Sequence, residues 1–393
     1  MKTLGKVCLM AMLLLLPLVA FAGGSGASSG AGAARQPQEP AHITALRKVV
    51  ATDSTWDELL KLAQAEGRLI AYSPSSRHSR VAQEFGAKFG IGRIEVTTIP
   101  DTEMIEKVYR EAAANVDAAD VVFVQDGGRV FSELLEPGHI ISYTPPALRN
   151  VIPKQFQNPQ VWDLCTKQFI FNNEKSQAEP IKNIWEVTEP DWRGRVQFKD
   201  PFSEGVNMNF LTMITKPEIA NKIAQAYRQR YGKDIALTTP NAGYEWIKAF
   251  YANGLILGRS DTTMSEVIGA KGQSSQLMGL FTLNKVREAA AKNIALQTTT
   301  NLAPFTGFYY PIYTVIPSNS RSPNAAKLFI EYCLSEEGFG PWNTLGDYSP
   351  NPQVVNTEDP IPLSQWMEWL IYEDPEWTAE NRPDIEDFVN SIM

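Results

Sequence analysis

The chain has 393 residues and a formal charge of −8, from 44 acidic and 36 basic side chains. No block of Lys and Arg is long enough to follow a phosphate backbone, which argues against a nucleic-acid partner. A chain of this length is expected to form two domains or lobes.

The first 22 residues have the pattern of a secretory leader. Lys2 and Lys6 precede an apolar run, residues 7–19, that is too short to span a membrane comfortably. Ala20 and Ala22 then supply the small residues that signal peptidase reads, so we predict cleavage after Ala22 and a periplasmic location. No Cys stands at this junction, so the pattern is not that of a lipoprotein.

A Gly-, Ser- and Ala-rich segment, residues 23–41, follows the leader. It contains almost no large apolar side chain and is predicted to be a flexible tether. Beyond it the chain keeps Cys165 and Cys333, which could pair in an oxidising compartment or remain as buried thiols. Sequence alone leaves both alternatives open.

Strand and helix patterns alternate three times in the first half of the chain. Ser54 and Asp57 resemble a capping box, and Gly67 ends the helix that follows. The predicted strands are residues 69–72, 94–99 and 120–124. Continuous apolar strands of this kind predict a mainly parallel sheet covered by helices on both faces. Ligands bind beyond the carboxyl ends of such strands, so the important loops are residues 73–77 and 125–128.

The second half repeats the alternation less regularly. Residues 194–199 are predicted as a strand, and a turn at residues 200–205 leads into a helix. Residues 219–231 and 243–252 have helical spacing, and Ser322-Pro323 is a strong helix start. These patterns predict a second α/β unit after the first.

Four segments in this order resemble one known family. They are ADVVFVQDGGRVFSELLEPG from Ala119, DWRGRVQFKDPFSEG from Asp191, SPNAAKLFIEYCLSEEGFG from Ser322 and LGDYSPNPQV from Leu345. Together they resemble the periplasmic solute-binding proteins of ABC importers, in the group that includes ferric-ion, sugar-phosphate and phosphonate receptors (extracellular solute-binding protein family 1-like).

The resemblance implies a type II periplasmic-binding-protein fold. Its two lobes, each a mostly parallel sheet flanked by helices, would hold the ligand in the cleft between them and close by hinge motion. Residues 161–171 and 305–316 are suited to cross between the lobes. Lobe one would be residues 50–165 plus 305–350, and lobe two residues 166–304 plus 351–393. The expected partners are a small-molecule solute and an ABC permease at the inner membrane, with the receptor itself a monomer.

Two loops that precede helices favour an anionic ligand. Ser75, Ser76 and Arg77 precede one helix, and Ser203 and Glu204 precede another. Free N–H groups at a helix start, hydroxyls and a guanidinium suit phosphate or carboxylate groups, although serines at these positions often only cap the helix. The further candidate ligand-binding residues are Gln125, Asp126, Asp200, Asn207, Thr282, Asn284, Tyr309 and Tyr348.

Ferric iron is the alternative ligand. The iron receptors of the family carry adjacent tyrosines in the second lobe, but the corresponding stretch here, residues 276–284, contains none. Tyr309 and Tyr310 could be metal ligands, yet they fall in a predicted hinge strand. We therefore predict a sugar phosphate, phosphonate or related anion, with no cofactor and with iron only as an alternative cargo.

Catalytic motifs are absent from the sequence. Its three His residues stand apart, and it has no nucleophile elbow, Walker loop or HExxH. We predict a binding protein, not an enzyme; a hydrolase that uses cleft carboxylates is a distant alternative, and a surface adhesin is another.

Overall fold

The computed structural model describes residues 39–393, so the predicted leader and all but the end of the tether lie outside the described residues. Residues 40–393 pack together as one compact body. No helix within this part of the chain is long and apolar enough to cross a bilayer.

The helices and strands alternate along most of the chain. The strands are β1 (Arg68–Ser73), β2 (Arg93–Thr98), β3 (Val121–Val124), β4 (Ile140–Ile141), β5 (Val161–Phe171), β6 (Val196–Lys199), β7 (Ile256–Gly258), β8 (Met278–Thr282), β9 (Gln297–Thr298), β10 (Gly307–Pro317), β11 (Asp347–Tyr348) and β12 (Leu370–Tyr372). The α-helices are α1 (Ala41–Ala51), α2 (Trp56–Glu66), α3 (Arg77–Phe89), α4 (Asp101–Ala114), α5 (Gly127–Arg129), α6 (Gly205–Ile214), α7 (Pro217–Tyr231), α8 (Ala242–Ala252), α9 (Asp261–Gly269), α10 (Pro323–Cys333), α11 (Glu336–Phe339), α12 (Leu363–Trp369) and α13 (Pro375–Ile392).

The main sheet consists of two parallel units joined by an antiparallel pair. Its strand order is β2-β1-β3-β10-β5-β8-β6-β7. β1 pairs in parallel with β2 and β3, forming the first unit. β6 pairs in parallel with β7 and β8, forming the second unit. This mixed α/β architecture confirms the predicted fold class.

β5 and β10 connect the two units. Each has 11 residues, a length of about 36 Å at the usual rise of a strand. The last residues of β5 pair with β8, whereas β10 pairs with β3 through Tyr313, Thr314 and Val315. These strands lie at or within two residues of the predicted crossing segments.

The buried apolar side chains form two clusters. One surrounds the first unit and includes Phe85 and Phe123, and the other surrounds the second unit and includes Phe198 and Trp246. The first cluster also takes in Phe281, from a segment predicted for lobe two, so the core boundary does not follow the predicted lobe boundary at every residue.

Two helices that the sequence patterns did not predict, α1 and α13, complete the fold. α1 buries Leu46 and Val50, so the folded part begins before the predicted start of lobe one at residue 50. α13 packs against α5, in the first half of the chain, and against α6 and α8, in the second. The C-terminal helix therefore contacts both units.

The predicted capping box at the start of α2 is present, but it lies one residue further along the chain. The capping box of α2 is formed by Thr55 and Glu58, not by Ser54 and Asp57. Gly67 ends α2 with φ +66°, a left-handed conformation in which glycine carries no Cβ penalty. Cys165 and Cys333 are both buried free thiols.

Candidate functional site

The strand ends of both units face a common cleft. A cavity of about 390 Å³, here called the outer cavity, has Thr98, Asp101 and Gln125 on one wall and Lys199 and Ser203 on the other. These residues follow or end β2, β3 and β6, which is where parallel sheets place ligands. Its volume falls within the range of small-molecule sites.

Two lysines, Lys167 and Lys199, form ion pairs with Glu204, which lines the outer cavity. The Lys167 ammonium donates to Glu204 Oε2 at 2.5 Å and to Asn207 Oδ1 at 2.7 Å, and Lys199 donates to Glu204 Oε1 at 2.7 Å. Burial alone would lower the pKa of Lys167, but the charges of Asp261 and Glu204 outweigh burial and raise it. Two ammonium groups thus share the one carboxylate of Glu204.

Asp101 adds a second carboxyl group to the outer cavity. Its Oδ1 accepts the N–H of Gln125 at 3.0 Å, which ties the start of α4 to the end of β3. Burial, followed by the nearby Glu204 and Asp126, raises the pKa of Asp101 to about 7 despite that hydrogen bond. Asp101 is the first residue of α4, and Pro100 occupies the N-cap position.

A second cluster, here called the latch, comprises Asp126, Asn209, Glu373 and Arg382. Arg382 Nη1 donates to both carboxylate oxygens of Asp126, at 2.7 and 2.8 Å. Asn209 Nδ2 donates to Asp126 Oδ1 and to Glu373 Oε1, each at 3.0 Å. The N–H of Gly127 donates to Glu373 Oε1 at 2.9 Å. The latch therefore ties the loop after β3 to α6 and to the C-terminal helix.

Gly205 permits the close approach that the latch requires. A Cβ at this position would lie 1.7 Å from Asp126 Oδ2. The carboxylate of Asp126 thus lies against the first residue of α6, where a helix presents its positive end. Any side chain at residue 205 would push the two units apart at this point.

A smaller cavity of about 160 Å³, here called the inner cavity, meets the outer cavity at Pro74. Aromatic rings from both halves of the chain form much of its wall, including Phe123, Trp162, Tyr310 and Trp342. The His78 ring stacks on Phe123 with a centroid distance of 3.9 Å and lies 4.3 Å from the Trp342 ring.

Two buried carboxyl groups share the inner cavity with one arginine. Asp163 Oδ1 accepts the N–H of Tyr348 at 3.1 Å, and Asp347 Oδ2 accepts from Asn284 Nδ2 at 3.2 Å. Burial, and then the charge of Asp347, raise the pKa of Asp163 well above its usual range. Arg77 donates to the carbonyl of Pro341 at 3.2 Å and lies over the Trp342 ring.

The structure brings most of the predicted ligand-binding residues to these cavities. Gln125, Asp126, Ser203 and Glu204 line the outer cavity, and Ser75, Arg77, Thr282 and Asn284 line the inner cavity. Asn207 lies behind them, hydrogen bonded to Lys167. Their contact with a ligand stays a prediction.

The other four predicted residues line neither cavity. Ser76 is exposed at the start of α3, and Asp200 accepts the N–H of Phe202 at 3.0 Å in the Asx turn that its sequence also allowed. Tyr309 packs against Tyr372 with a centroid distance of 5.0 Å. The Tyr348 hydroxyl donates to the carbonyl of Ile361 at 2.9 Å, away from the cleft.

Tyr309 and Tyr310 lie on opposite faces of β10. Tyr309 belongs to the first core cluster and Tyr310 to the second, as strand alternation requires. Burial raises the pKa of Tyr309 to about 12 and that of Tyr310 well above its usual range. The pair cannot direct two phenolate oxygens at one ion in this arrangement. Within residues 39–393, no group of three or more His, Cys, Asp or Glu side chains could hold a metal ion.

Sequence reasoning missed five charged residues of the cleft. Asp101 and Lys199 end or follow strands, so the strand-end rule that selected Gln125 would have found them. Lys167 and Asp163 lie in β5, and Asp347 lies in β11. Isolated charges within the apolar run of β5 were a usable sequence signal for Lys167 and Asp163, and Asp347 had none.

No family model and no curated protein sequence matches the chain. Solved structures do match. Iron-bound HitA from Pseudomonas aeruginosa has a TM-score of 0.62 and 15% identity over 83% of this chain and 99% of its own. AfuA from Actinobacillus pleuropneumoniae, with fructose-6-phosphate bound, has a TM-score of 0.62 and 19% identity over 83% and 98%.

A third similar structure is the substrate-binding protein of an ABC transporter from Agrobacterium tumefaciens, with a TM-score of 0.62 and 14% identity over 83% of this chain and 94% of its own. The structural neighbours are thus periplasmic binding proteins for ferric iron and for a sugar phosphate, as the sequence segments suggested. The chain has the fold of the type II periplasmic binding proteins.

Proposed function

We propose that the protein is the capture subunit of an ABC importer, located in the periplasm, and that it binds a small anionic solute such as a sugar phosphate or phosphonate. It binds its solute without transforming it and works as a monomer. Closure of the two lobes over the solute forms the shape that an inner-membrane permease recognises.

The main observation behind this proposal is the set of hydrogen-bond donors that line the outer cavity. Lys199 and Ser203 line it, Gly205 and Val206 begin α6 at its edge, and Glu204 is matched by two lysines. The Lys199 ammonium and the Ser203 hydroxyl are donors that a phosphate or phosphonate uses. Of the two other carboxyl groups in the lining, Asp101 is hydrogen bonded to Gln125 and Asp126 is paired with Arg382. Thr98 and Gln125 supply further polar groups on the opposite wall.

The solved neighbours support both halves of this proposal. AfuA was solved with fructose-6-phosphate, and the Agrobacterium protein is a substrate-binding protein of an ABC transporter. HitA is iron-bound, so iron stays the alternative cargo. The opposite orientations of Tyr309 and Tyr310 favour the anion over bare iron.

The lobe boundaries belong to the same proposal. We assign residues 50–165 plus 305–350 to lobe one and residues 166–304 plus 351–393 to lobe two, with β5 and β10 as the hinge. The two core clusters support this division for most residues, with exceptions that include Phe281 and Leu370 of lobe two in the first cluster. Removal of residues 1–22 as a leader would release the protein into the periplasm.

Ligand titration monitored by thermal unfolding tests the function. Glucose 6-phosphate and propylphosphonate are the first probes, and a ligand that binds only the folded state raises the melting temperature. Lys199→Met should weaken capture at least about tenfold, since a charge-assisted hydrogen bond contributes about 1.5–3 kcal/mol.

Lys222→Met is the matched control, because Lys222 is exposed on α7 and distant from the cleft in sequence. Equal affinities for the two variants would show that Lys199 does not contact the anion. Stabilisation by ferric iron alone, with no response to either anion, would favour the alternative cargo.

A further inference from the structure

The inner cavity contains a feature that an anion does not explain. Two carboxyl groups, Asp163 and Asp347, line it together with the rings of Trp162, Tyr310 and Trp342. Burial raises the pKa of both carboxyl groups, and a bound cation would favour their charged form, since carboxylates and the faces of aromatic rings both attract cations. The lining of this cavity thus offers two carboxyl groups and several aromatic faces to a cation, with Arg77 as the one cationic residue among the described residues that form it.

Polar atoms at this site lack protein partners. Asp163 is 1% exposed, yet its Oδ2 has no hydrogen-bond partner among residues 39–393, and the same holds for Nε2 of the buried His78. Nearly all buried polar atoms in folded proteins are paired, so an unpaired atom beside a cavity indicates a missing partner. A group with several N–H donors would satisfy the oxygen of Asp163.

The charges of Arg77 and Arg287 act on Asp347, but neither guanidinium hydrogen bonds to the unpaired oxygen of Asp163. Arg77 donates to the Pro341 carbonyl, and Arg287 donates to Thr344 Oγ1 at 2.6 Å. Both lower the pKa of Asp347, and Arg77 also lowers that of Asp163, but neither guanidinium hydrogen bonds to Asp163 Oδ2, which has no partner among the described residues. The unpaired oxygen is therefore left for a ligand.

We propose that the solute carries a protonated amine as well as an anionic group, with the ammonium bound in the inner cavity by Asp163 and Asp347 and the anion bound in the outer cavity by Lys199. The class is a zwitterion, such as an amino-substituted phosphonate or sugar phosphate. This inference rests on the proposed capture function. The shared wall at Pro74 lets one small molecule occupy both cavities.

Matched probes separate the two groups of the solute. 3-Aminopropylphosphonate, propylphosphonate and propylamine differ only in which charged group they carry, and glucosamine 6-phosphate with glucose 6-phosphate forms a second pair. Affinities are measured by calorimetry for the wild-type protein and for Asp163→Asn, Asp347→Asn and Asp384→Asn. Asp384 is an exposed carboxylate on α13 and serves as the control.

The amine-bearing member of at least one pair should bind the wild-type protein at least tenfold more tightly than its partner. Asp163→Asn and Asp347→Asn should each remove that advantage while leaving the affinity for the amine-free anion unchanged, and Asp384→Asn should retain it. Two carboxyl variants keep the test valid if one of them fails to fold.

The contrary outcomes are distinct. If both members of each pair bind equally, the amine inference is wrong and the capture of anions stands. If propylamine binds as tightly as 3-aminopropylphosphonate, the inner site is supported and anion capture fails. If none of the probes binds, both proposals are overturned.

Discussion

The latch and the inner cavity are both buried polar clusters at the junction of the two units, and they differ in how their charges are matched. In the latch, the Asp126 carboxylate has Arg382 on both oxygens and Asn209 on one, and the second carboxyl group, Glu373, has only its Oε1 hydrogen bonded in the described chain. In the inner cavity, Asp163 keeps one oxygen without a partner in the described chain.

Matched and unmatched charges have different energetic roles. Breaking a matched buried pair leaves an uncompensated charge, which is strongly destabilising. A buried polar group without a partner already lowers the stability of the ligand-free protein. Its replacement therefore costs little free energy of unfolding, which is the behaviour expected of a group that acts in binding. We therefore expect the Asp126–Arg382 pair of the latch to stabilise the contact between the two units, and Asp163 to act in ligand binding as proposed. Four predictions test this contrast.

The largest effect is expected for Arg382→Met. The variant leaves Asp126 buried, at 1% exposure, without its cation, and should lose about 3–5 kcal/mol of unfolding free energy. Urea unfolding measures the loss. Arg228→Met, which breaks an ion pair with both partners more than 60% exposed, should cost under about 1 kcal/mol. Similar losses in both variants would show that the latch is not stabilising.

Gly205→Ala should have the next largest effect. The added Cβ would meet the Asp126 carboxylate, so the latch must shift, at a cost of about 1–3 kcal/mol. Gly340→Ala is the control, because no heavy atom lies within 4 Å of the Cβ position there. Small-angle scattering should show a larger radius of gyration for the Gly205 variant. Unchanged stability and dimensions would contradict the proposed close approach.

The latch should also make stability depend on pH through Glu373. Burial, and then the charge of Asp126, raise the pKa of Glu373 from 4.5 to about 8, although Gly127, Asn209 and Arg382 oppose the rise. Between these values the folded chain keeps a proton that the unfolded chain has lost. Stability should therefore fall as pH rises from 5 to 8, with a slope of at most about 1.4 kcal/mol per pH unit from this group.

Glu373→Gln should flatten that slope and be more stable than the wild type near pH 8. Asp101, whose pKa is raised to about 7, contributes in the same direction, so some slope should remain in the Gln variant. Melting temperatures at intervals of half a pH unit provide the measurement. An unchanged slope would show that Glu373 is ionised in the folded protein.

The smallest effect on stability is expected for Asp163→Asn. The amide oxygen can still accept the N–H of Tyr348, and the lost oxygen had no described partner, so the change should stay within about 1 kcal/mol. A loss above about 2 kcal/mol in urea unfolding, in the range of breaking a buried polar partner, would assign Asp163 a structural role and erase the contrast with the latch.

Strand-end reasoning located the cleft, and its failures have identifiable causes. Gln125 and Ser203 follow strands and line the outer cavity, as predicted. Tyr309 was predicted to bind the ligand. Because side chains alternate along β10, Tyr310 lines the inner cavity and Tyr309 does not. Lys167 and Asp163 lie inside β5, where apolar periodicity gives no sign that the strand lines a cleft on one face.

The sequence by itself determined the alternation of strands and helices and the loops at the strand ends, because these depend on periodicity and on residues near in the chain. The two long crossing strands were predicted from the family resemblance. Tertiary structure alone decided which charges meet. Arg382 reaches Asp126 from 256 residues away, and Asp163 and Asp347 share one cavity through a strand pairing between β5 and β11. Such contacts depend on packing between distant segments, which local patterns do not encode.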